Sequence, residues 1–264
     1  MNAFAPERLG PPADDPYYPI RMRWIILDFR MVDFLTNRLL ATLNRDDISW
    51  LTPHLEQVDL QRGMILVREH EVFRYTGFPT TAVVSLVRDM RDGRIAEMAS
   101  FGREAMIGLP LCGAPSASLG RYVVQIPGSM WRISTRKMEE AIASRRTVQD
   151  MISRYMEALL TLTLQYVACN AVHSVEARAC RWIVATHDRT GKNDMPLTHE
   201  ALAEMLGVQR STVSEVLYAL QSRGMIQQGR GRLAICDRSR LEQTACECYG
   251  KLRKRYLSLL PLRD

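Results

Sequence analysis

The chain has 264 residues, of which 47% are hydrophobic and 24% charged, and this composition of an ordinary globular protein excludes a low-complexity or fibrous one. No run of about 18 apolar residues occurs, so the sequence predicts no transmembrane helix. The net charge of +6 is uneven, because residues 1–173 carry 20 basic and 19 acidic side chains whereas residues 174–264 carry 15 and 10. The basic C-terminal third favours a polyanionic partner.

The first 36 residues are predicted to be a leader or extension. They contain acidic residues and prolines and lack the apolar core of a secretory signal. The six cysteines, at positions 112, 169, 180, 236, 246 and 248, are too scattered for a disulfide framework. This distribution favours a reducing compartment and predicts a cytoplasmic protein.

Residues 37–135 predict a domain made mostly of short strands. β-branched or apolar runs such as MILVREHEV, TAVVSLVRD and RYVVQIP are separated by Gly, Pro and Asp-Gly signals. Asp92-Gly93 between two such runs is typical of a hairpin turn. Many short strands at this spacing predict a β-barrel or β-sandwich.

Residues 136–171 predict a long helix with an apolar seam. The seam residues recur at helical 3-and-4 spacing. They include Met151, Ile152, Tyr155, Leu159, Leu162 and Tyr166. The pattern alone leaves two alternatives open: the seam packs on its own domain, or it faces a second copy of the chain as a short coiled coil. A second helix is expected from about residue 175, with Ser174 as its N-cap.

Residues 172–250 predict a helix-turn-helix followed by a small hairpin, and residues 251–264 a tail. Thr198 is expected to cap the first helix, Gly207 to end it, and residues 210–222 to form the second helix. Turn residues at 229–231 separate two short strands, which would form a wing, and residues 237–249 return to helix.

The exposed positions of this unit have the side chains that contact DNA. Arginine pairs with guanine, glutamate accepts from cytosine, and hydroxyls and amides contact either bases or phosphates. The candidates for reading base edges are Arg210, Ser211, Ser214 and Glu215. The candidates for phosphate and wing contacts are Thr198, His199, Gln209, Thr212, Arg230 and Arg232. The alternative is an ordinary helical hairpin with a solvated polar face.

The segment LTHEALAEMLGVQRSTVSEVLYALQSRGMI, followed by RGRLAICDR, resembles the winged helix-turn-helix of the Crp/Fnr family of bacterial transcription regulators. The segments FPTTAVVSLV, DGRIAEMASFGREAMIGLPL and ACECYGKLRKRY extend the resemblance to about residues 37–255. It implies an α+β fold: a β-roll like that of cyclic-nucleotide-binding domains, a dimerisation helix and a C-terminal winged helix. It also implies a homodimer on an inverted-repeat operator and makes the seam an inter-subunit contact.

The resemblance indicates a branch that does not bind cyclic nucleotides. Members that bind them carry an Arg-Ser pair, preceded by Gly-Glu, whereas here Arg121 is followed by Tyr122 and Arg103 displaces Glu104 from Gly102. A shift of one residue turns a strand side chain to the opposite face. Glu104 and Arg121 stay the candidates for an effector pocket of unknown ligand.

The sequence predicts no cofactor, no metal and no enzymatic activity. There is no N-terminal cysteine cluster that could bind an iron–sulfur centre. Only one residue separates Cys246 from Cys248, which is fewer than metal-binding cysteine pairs usually have. Cys246 and Cys248 are therefore interpreted as structural thiols, and a redox role for either is left open. His199-Glu200 lacks the second histidine of a zinc protease, because position 203 is Ala. No catalytic triad, P-loop or dinucleotide motif occurs.

We therefore expect a DNA-binding transcription regulator. The expected partners are double-stranded DNA, a second copy of the chain, RNA polymerase and an unidentified small-molecule effector, with no membrane. Two alternatives stay open: a DNA binder that needs no ligand, and a protein-interaction module that uses the helix-turn-helix as a scaffold.

Overall fold

The computed structural model describes residues 34–109 and 117–259. The predicted leader, apart from residues 34–36, therefore lies outside the described residues, as do Cys112 and the last five residues of the predicted tail. None of the helices in these ranges is long and apolar enough to cross a membrane.

Short helices, rather than strands, precede the first sheet. Helix α1 spans Arg45–Leu51 and is flanked by 3-10 turns at Leu40–Thr42 and Thr52–His54. The Asn44 side chain caps α1 by accepting a hydrogen bond from the Asp47 N–H at 2.8 Å. The prediction of strands from residue 37 is wrong for this stretch, because an N-cap and burial along one helical face favour helix here.

Seven strands then form two antiparallel sheets, with orders β1-β7-β3 and β2-β6-β4-β5. Their bounds are β1 (Glu56–Leu60), β2 (Ile65–Val67), β3 (Tyr75–Pro79), β4 (Val83–Asp89), β5 (Ile95–Phe101), β6 (Arg121–Ile126) and β7 (Gly128–Ser134). The predicted hairpin at Asp92-Gly93 joins β4 to β5, where the Arg94 N–H donates to Asp92 at 3.1 Å. The predicted β-roll is confirmed.

Strand β4 is buried on both faces. Val84 belongs to the core of the roll, whereas Val83 and Val87 belong to a second core shared with the C-terminal domain. Burial on both faces explains the continuous apolar run TAVVSLV, since a strand with one solvated face alternates apolar and polar residues.

Three helices follow the roll: α2 (Thr135–Ser144), α3 (Arg146–Val172) and α4 (Val175–Thr190). The long helix predicted for residues 136–171 is thus two helices. They break at Arg145, whose backbone is extended and whose guanidinium donates to the Asp47 carboxylate at 2.9 Å. Ser174 caps α4, as predicted.

The C-terminal domain combines four more helices with a three-stranded sheet of order β8-β10-β9. Their bounds are β8 (Asp194–Met195), α5 (His199–Leu206), α6 (Arg210–Ser222), β9 (Ile226–Gly229), β10 (Arg232–Ile235), α7 (Arg238–Thr244) and α8 (Cys248–Leu259). The single helix predicted for residues 237–249 is instead two, separated at 245–247, and α8 packs along α3.

The C-terminal domain packs against the outer face of the four-stranded sheet. Helix α5 contacts β5, and α4 contacts β4. Trp182 of α4 donates from its indole N–H to Glu97 of β5 at 3.3 Å. Met205 of α5 accepts from the Ser85 hydroxyl at 3.3 Å. The roll and the C-terminal domain therefore share one apolar and hydrogen-bonded interface.

Candidate DNA-binding surface

Helices α5 and α6 pack together across a tight turn. Thr198 caps α5 by accepting from the Ala201 N–H at 3.1 Å, as predicted. Gly207 ends α5 with a φ of +64°, a left-handed conformation that glycine adopts without steric cost. Val213 and Leu217 on the inner face of α6 are buried with the apolar side of α5. This packing directs the opposite face of α6 to solvent.

The exposed face of α6 carries three of the four residues predicted to read bases. Arg210 has a side-chain exposure of 70%, and Ser211 and Glu215 are also exposed. The Arg210 guanidinium lies 3.9 Å from the Glu200 carboxylate, a long and solvated ion pair. Tyr218, which was not among the predicted residues, is 71% exposed on this face. Its spacing of seven residues from Ser211, two helical turns, could have indicated it.

Ser214 is half-buried at the edge of this face. Its hydroxyl donates to the Arg210 carbonyl at 3.0 Å and lies 2.8 Å from His199 Nδ1. The other ring nitrogen of His199 lies 2.7 Å from the Gln228 amide oxygen. Both nitrogens of His199 are therefore engaged within the chain, where the ring links α5, α6 and the wing. The contact of His199 with a phosphate stays a prediction.

The N-terminus of α6 is suited to an anion. Gln209 occupies the N-cap position, and within the described residues its side chain makes no capping hydrogen bond. The first turn contains no acidic residue, and Thr212 there is half-buried. The free N–H groups and the positive end of the helix dipole can therefore bind a phosphate.

The wing presents its two predicted arginines differently. Arg230 is exposed at the tip of the turn between β9 and β10. Arg232 forms an ion pair with Asp194, in which its Nε lies 3.2 Å from a carboxylate oxygen. Arg230 therefore faces solvent, whereas Arg232 must exchange Asp194 for a DNA phosphate.

The predicted effector pair of Glu104 and Arg121 is wrong as a shared pocket. Arg121 lies on β6 and donates to the Asp89 carboxylate at 3.0 Å, which lowers the pKa of Asp89. Glu104 accepts from Arg189 of α4 at 2.7 Å. Each charge is neutralised by a different partner, because the two residues lie on different parts of the roll.

Glu104 instead lines a cleft between the roll and the C-terminal helices, with about 600 Å³ of empty space open to solvent. Its charged lining consists of Arg38, Arg103, Glu104, Arg181, Asp188, Arg189 and Arg253. Burial and the neighbouring charge of Arg38 lower the pKa of Arg103. The buried Nε of Arg103 has no hydrogen-bond partner among the described residues. The cleft therefore has the chemistry of an anion site.

Aromatic side chains fill the interior of the roll beside β6. The Tyr122 ring packs edge-on against Phe73, with 5.3 Å between ring centroids, and at a tilt of 35° against Phe101, with 5.5 Å between centroids. Burial raises the pKa of Tyr122 to about 12. Tyr122 thus occupies the interior, and the neighbouring Arg121 points to the opposite face.

The predicted dimer seam on α3 is largely buried within the chain itself. Met151, Ile152 and Tyr155 belong to the core of the roll, and the Tyr155 hydroxyl donates to the Met106 carbonyl at 2.8 Å. Leu162 is also buried, Leu159 packs partly against the core, and Tyr166 lies under the guanidinium of Arg181. The predicted contact is therefore wrong for the buried members, because side chains already covered by their own chain cannot cover a partner.

A neighbouring face of α3 carries an exposed apolar stripe. Its residues are Met156, Leu160, Leu164 and Val167, exposed at 41%, 60%, 61% and 66%. They recur at 3-and-4 spacing and lie roughly a third of a turn from the predicted seam. We name them the α3 stripe.

The C-terminal domain combines two packed helices, a small wing and an exposed polar face at the start of the second helix. This arrangement is a winged helix-turn-helix, a fold typical of DNA-binding domains. Residues 177–244 match the family model described as the Crp-like helix-turn-helix domain. A search of curated protein sequences gave no match.

Solved structures with the same fold include three bacterial regulators. FixK2 from Bradyrhizobium japonicum is 18% identical with a TM-score of 0.62, covering 73% of this chain and 98% of its own. TTHB099, a CRP-family regulator from Thermus thermophilus, is 18% identical with a TM-score of 0.60, covering 72% and 96%. The c-di-GMP responsive regulator CLP from Xanthomonas campestris is 14% identical with a TM-score of 0.58, covering 73% and 99%.

At these identities the likeness shows a shared fold, and the family model specifies the DNA-binding domain. Residues 177–244 are therefore a Crp-like helix-turn-helix domain, and the described chain as a whole shares the fold of these regulators.

Proposed function

We propose that the protein regulates transcription as a homodimer on an inverted-repeat operator. The α3 stripe is the observation that carries this proposal. Four large apolar side chains in solvent along one helical face are costly in a monomer and typical of a helix that meets a partner. Two copies paired through these stripes would place their α6 helices in major grooves one helical turn apart.

Sequence reading is assigned to the exposed face of α6. Arg210, Ser211 and Glu215 would contact base edges, and Tyr218 would extend the contact along the groove. Ser214 would join them only if its hydroxyl left the Arg210 carbonyl. The α6 N-terminus at Gln209, together with Arg230 of the wing, would bind phosphates.

The roll is proposed to sense a ligand other than a cyclic nucleotide. Support comes from Tyr122, which fills the interior of the roll, and from Arg121, which is paired with Asp89 on the other face. The arginine-lined cleft is the better location for an effector, which would be an anion. Arg103 is its principal candidate contact, because a buried guanidinium N–H without a partner is costly unless an acceptor arrives.

Signal transfer is proposed to use the interface between the roll and the C-terminal domain. The β4–β5 hairpin, through Gly93 and Arg94, lines the same groove as Gln209 and Arg210 at the start of α6. A ligand that favoured a different setting of the two domains would therefore change access to α6. Such a ligand shifts the populations of two arrangements by its difference in affinity for them.

Selection of binding sites from random duplex DNA with the purified chain, over a salt series, tests the function. The expected result is an enriched two-fold symmetric motif with half-sites one turn apart, and affinity that falls steeply with salt. Binding without symmetry would contradict the dimeric reader. Binding to protein with little salt dependence would support the scaffold alternative instead.

Thermal unfolding with added ligands tests the sensor. The probes are cAMP, c-di-GMP and inorganic phosphate, each with the native chain and with Arg103→Ala. A shift with inorganic phosphate that Arg103→Ala abolishes supports the cleft, whereas a shift with only cAMP or c-di-GMP would contradict a ligand other than a cyclic nucleotide. A shift with cAMP that survives Arg103→Ala would contradict the proposal that the roll does not bind cyclic nucleotides, and the absence of any shift would favour the constitutive DNA binder.

A further inference from the structure

Four potential metal ligands converge where the end of α3 meets the start of α8. Cys169 and His173 come from the last turn of α3 and the residue after it, and Cys246 and Cys248 flank the beginning of α8. One ligand atom from each lies within 4.8 Å of the other three. The Sγ atoms of Cys169 and Cys246 are 3.5 Å apart, and Cys248 Sγ lies 3.6 Å from His173 Nδ1.

The two shortest of these separations match the edges of a tetrahedral zinc site, and the 4.8 Å limit on the others requires only small side-chain movements. Zinc binds thiolate sulfur at about 2.3 Å and imidazole nitrogen at about 2.0–2.1 Å, so that tetrahedral geometry separates its ligand atoms by roughly 3.5–3.8 Å. Three cysteines and one histidine are also a common ligand set of structural zinc sites. We propose that Cys169, His173, Cys246 and Cys248 bind one Zn²⁺ ion.

The surroundings of His173 support the proposal independently. Its Nε2 lies 3.0 Å from the Glu247 carboxylate, so the imidazole presents Nδ1 to the thiols. A histidine that binds zinc through one nitrogen usually donates from the other to a carboxylate or carbonyl, which fixes the ring. The Gln165 amide also donates to Cys248 Sγ at 3.0 Å, as outer groups do around zinc-bound thiolates.

Two buried arginines lie close to the cysteines of this cluster. Three thiolates and one Zn²⁺ ion carry a net charge of −1. Arg178 and Arg181 of α4 are buried and interact electrostatically with Cys169 and Cys246. The Nε atom of each has no hydrogen-bond partner among the described residues. Arg178 also donates to the Asn170 amide oxygen and the Leu206 carbonyl, and Arg181 lies over the Tyr166 ring. An anionic zinc–thiolate centre would add a counter-charge to both buried cations.

The spacing of Cys246 and Cys248 led the sequence analysis to expect no metal, because one intervening residue is short for a zinc pair. The fold changes this expectation by adding Cys169 and His173 from α3. A Cys169–Cys246 disulfide is the rival explanation. It would need a sulfur–sulfur separation of about 2.05 Å and would leave the arrangement of Cys248, His173 and Glu247 without a role.

The location gives the ion a structural consequence. The helix that carries the α3 stripe ends at this site, and the other two ligands belong to the C-terminal domain. A bound Zn²⁺ ion would hold the end of α3 and the start of α8 together, beside the bend between α3 and α4 at residues 173–174. It would thereby fix the direction in which the winged helix leaves the dimerisation helix.

Metal content of the full-length chain, purified under reducing conditions, is the first test. We expect one zinc per chain by mass spectrometry. Cobalt added to the metal-free chain should give the intense visible bands and sulfur-to-cobalt charge transfer of a tetrahedral thiolate site. A chain that binds no stoichiometric metal, or a pale octahedral cobalt spectrum, would overturn the proposal. So would a metal-free chain with an intact Cys169–Cys246 disulfide.

Variants locate the site. Cys169→Ala and Cys246→Ala should lose the ion, whereas Cys180→Ala, at an equally buried cysteine outside the cluster, should keep it. Glu247→Gln changes an exposed side chain and should leave the fold intact. It should weaken zinc affinity by about 10–100-fold in competition with a chelating dye, because His173 loses its carboxylate. Unchanged affinity in Glu247→Gln together with zinc retained in both cysteine variants would place the ion elsewhere.

Discussion

The carboxylate of Glu104 accepts a hydrogen bond from Arg189 at 2.7 Å, which joins the β-roll directly to the C-terminal domain. The two side chains are 14% and 8% exposed. Arg189 also donates to the Ser100 carbonyl at 3.2 Å. Gly102 permits this approach, since a Cβ there would lie 2.5 Å from the Arg189 side chain. The pair thus adds a buried ionic contact to the apolar interface between the two domains, at a backbone position without a side chain.

Breaking this pair should destabilise the protein. Glu104→Ala leaves the Arg189 guanidinium buried without its counter-charge, which costs about 3–5 kcal/mol in free energy of unfolding. Urea denaturation of the native chain and the variant measures the difference. Arg146→Ala is the matched control, because it removes only an exposed pair with Asp150 and should have no measurable effect. Equal losses of free energy of unfolding in the two variants would show that the buried pair stabilises the protein no more than the exposed pair does.

The stability of the chain should depend on pH through Glu97. Burial raises the pKa of this carboxyl above its ordinary value of 4.5, although Ser85 and Trp182 donate to it. The folded chain therefore keeps the proton to a higher pH than the unfolded chain does. The stabilisation of the folded chain by protonated Glu97 is complete below about pH 4.5, the ordinary pKa of the carboxyl. It is lost as the pH rises towards the pKa of Glu97 in the folded chain.

Glu97→Gln should remove that dependence, since glutamine stays neutral at every pH. We expect the variant to gain stability over the native chain as the pH rises, measured by urea denaturation across the range. Glu140→Gln is the opposite control. A hydrogen bond from Lys137 lowers the pKa of Glu140, so the stabilisation of the folded chain by ionised Glu140 is lost as the pH falls. If the free energies of unfolding of the native chain and of Glu97→Gln changed in parallel with pH, Glu97 would not be the source of the pH dependence.

Arg210→Ala should reduce sequence discrimination by about 1–3 kcal/mol at one base position of each half-site. The exposed guanidinium at the start of α6 is placed to pair with one guanine. Competition binding with operator variants, substituted one base pair at a time, measures this loss. Arg136→Ala, an exposed arginine on α2, should leave the profile unchanged. Equal weakening on every sequence would make Arg210 a phosphate contact.

Leu160→Lys should convert the dimer to a folded monomer, because it places a charge in the centre of the α3 stripe. Light scattering measures the mass, and circular dichroism verifies the fold. Leu119→Lys, at an equally exposed leucine on the roll, should remain dimeric. Leu159→Lys should instead lower the free energy of unfolding, because Leu159 packs partly against the core. A dimer that survives Leu160→Lys would place the interface on another surface.

Local chemistry accounts for the parts of the fold that the sequence predicted well. Thr198, Gly207 and Ser174 mark helix ends through capping and backbone preferences that depend on a few neighbouring residues. The period of the apolar residues likewise distinguishes the strands of the roll from the helices that follow. The first helices were missed because a short helix held by one cap has too few residues to display a period.

The apolar seam of α3 shows where periodicity stops being informative. A pattern of apolar residues specifies which face is buried, but not what buries it. Tyr155 and Leu160 are both apolar members of one helix, yet the roll covers the first and leaves the second in solvent. The sequence therefore predicted a buried face on this helix, and only the structure showed that the roll covers much of it.

The sequence by itself determined the two helices of the helix-turn-helix and the exposed residues at the start of the second, because these follow from local propensity and spacing. The class of protein came from the resemblance to the Crp/Fnr family. Only the tertiary structure decided the partners of distant residues. It engaged His199 with Ser214 and Gln228, separated Glu104 from Arg121, and brought Cys169 and His173 to Cys246 and Cys248. The physical reason is that hydrogen bonds, ion pairs and metal sites depend on separations of a few ångströms, which packing between domains sets and spacing along the chain does not.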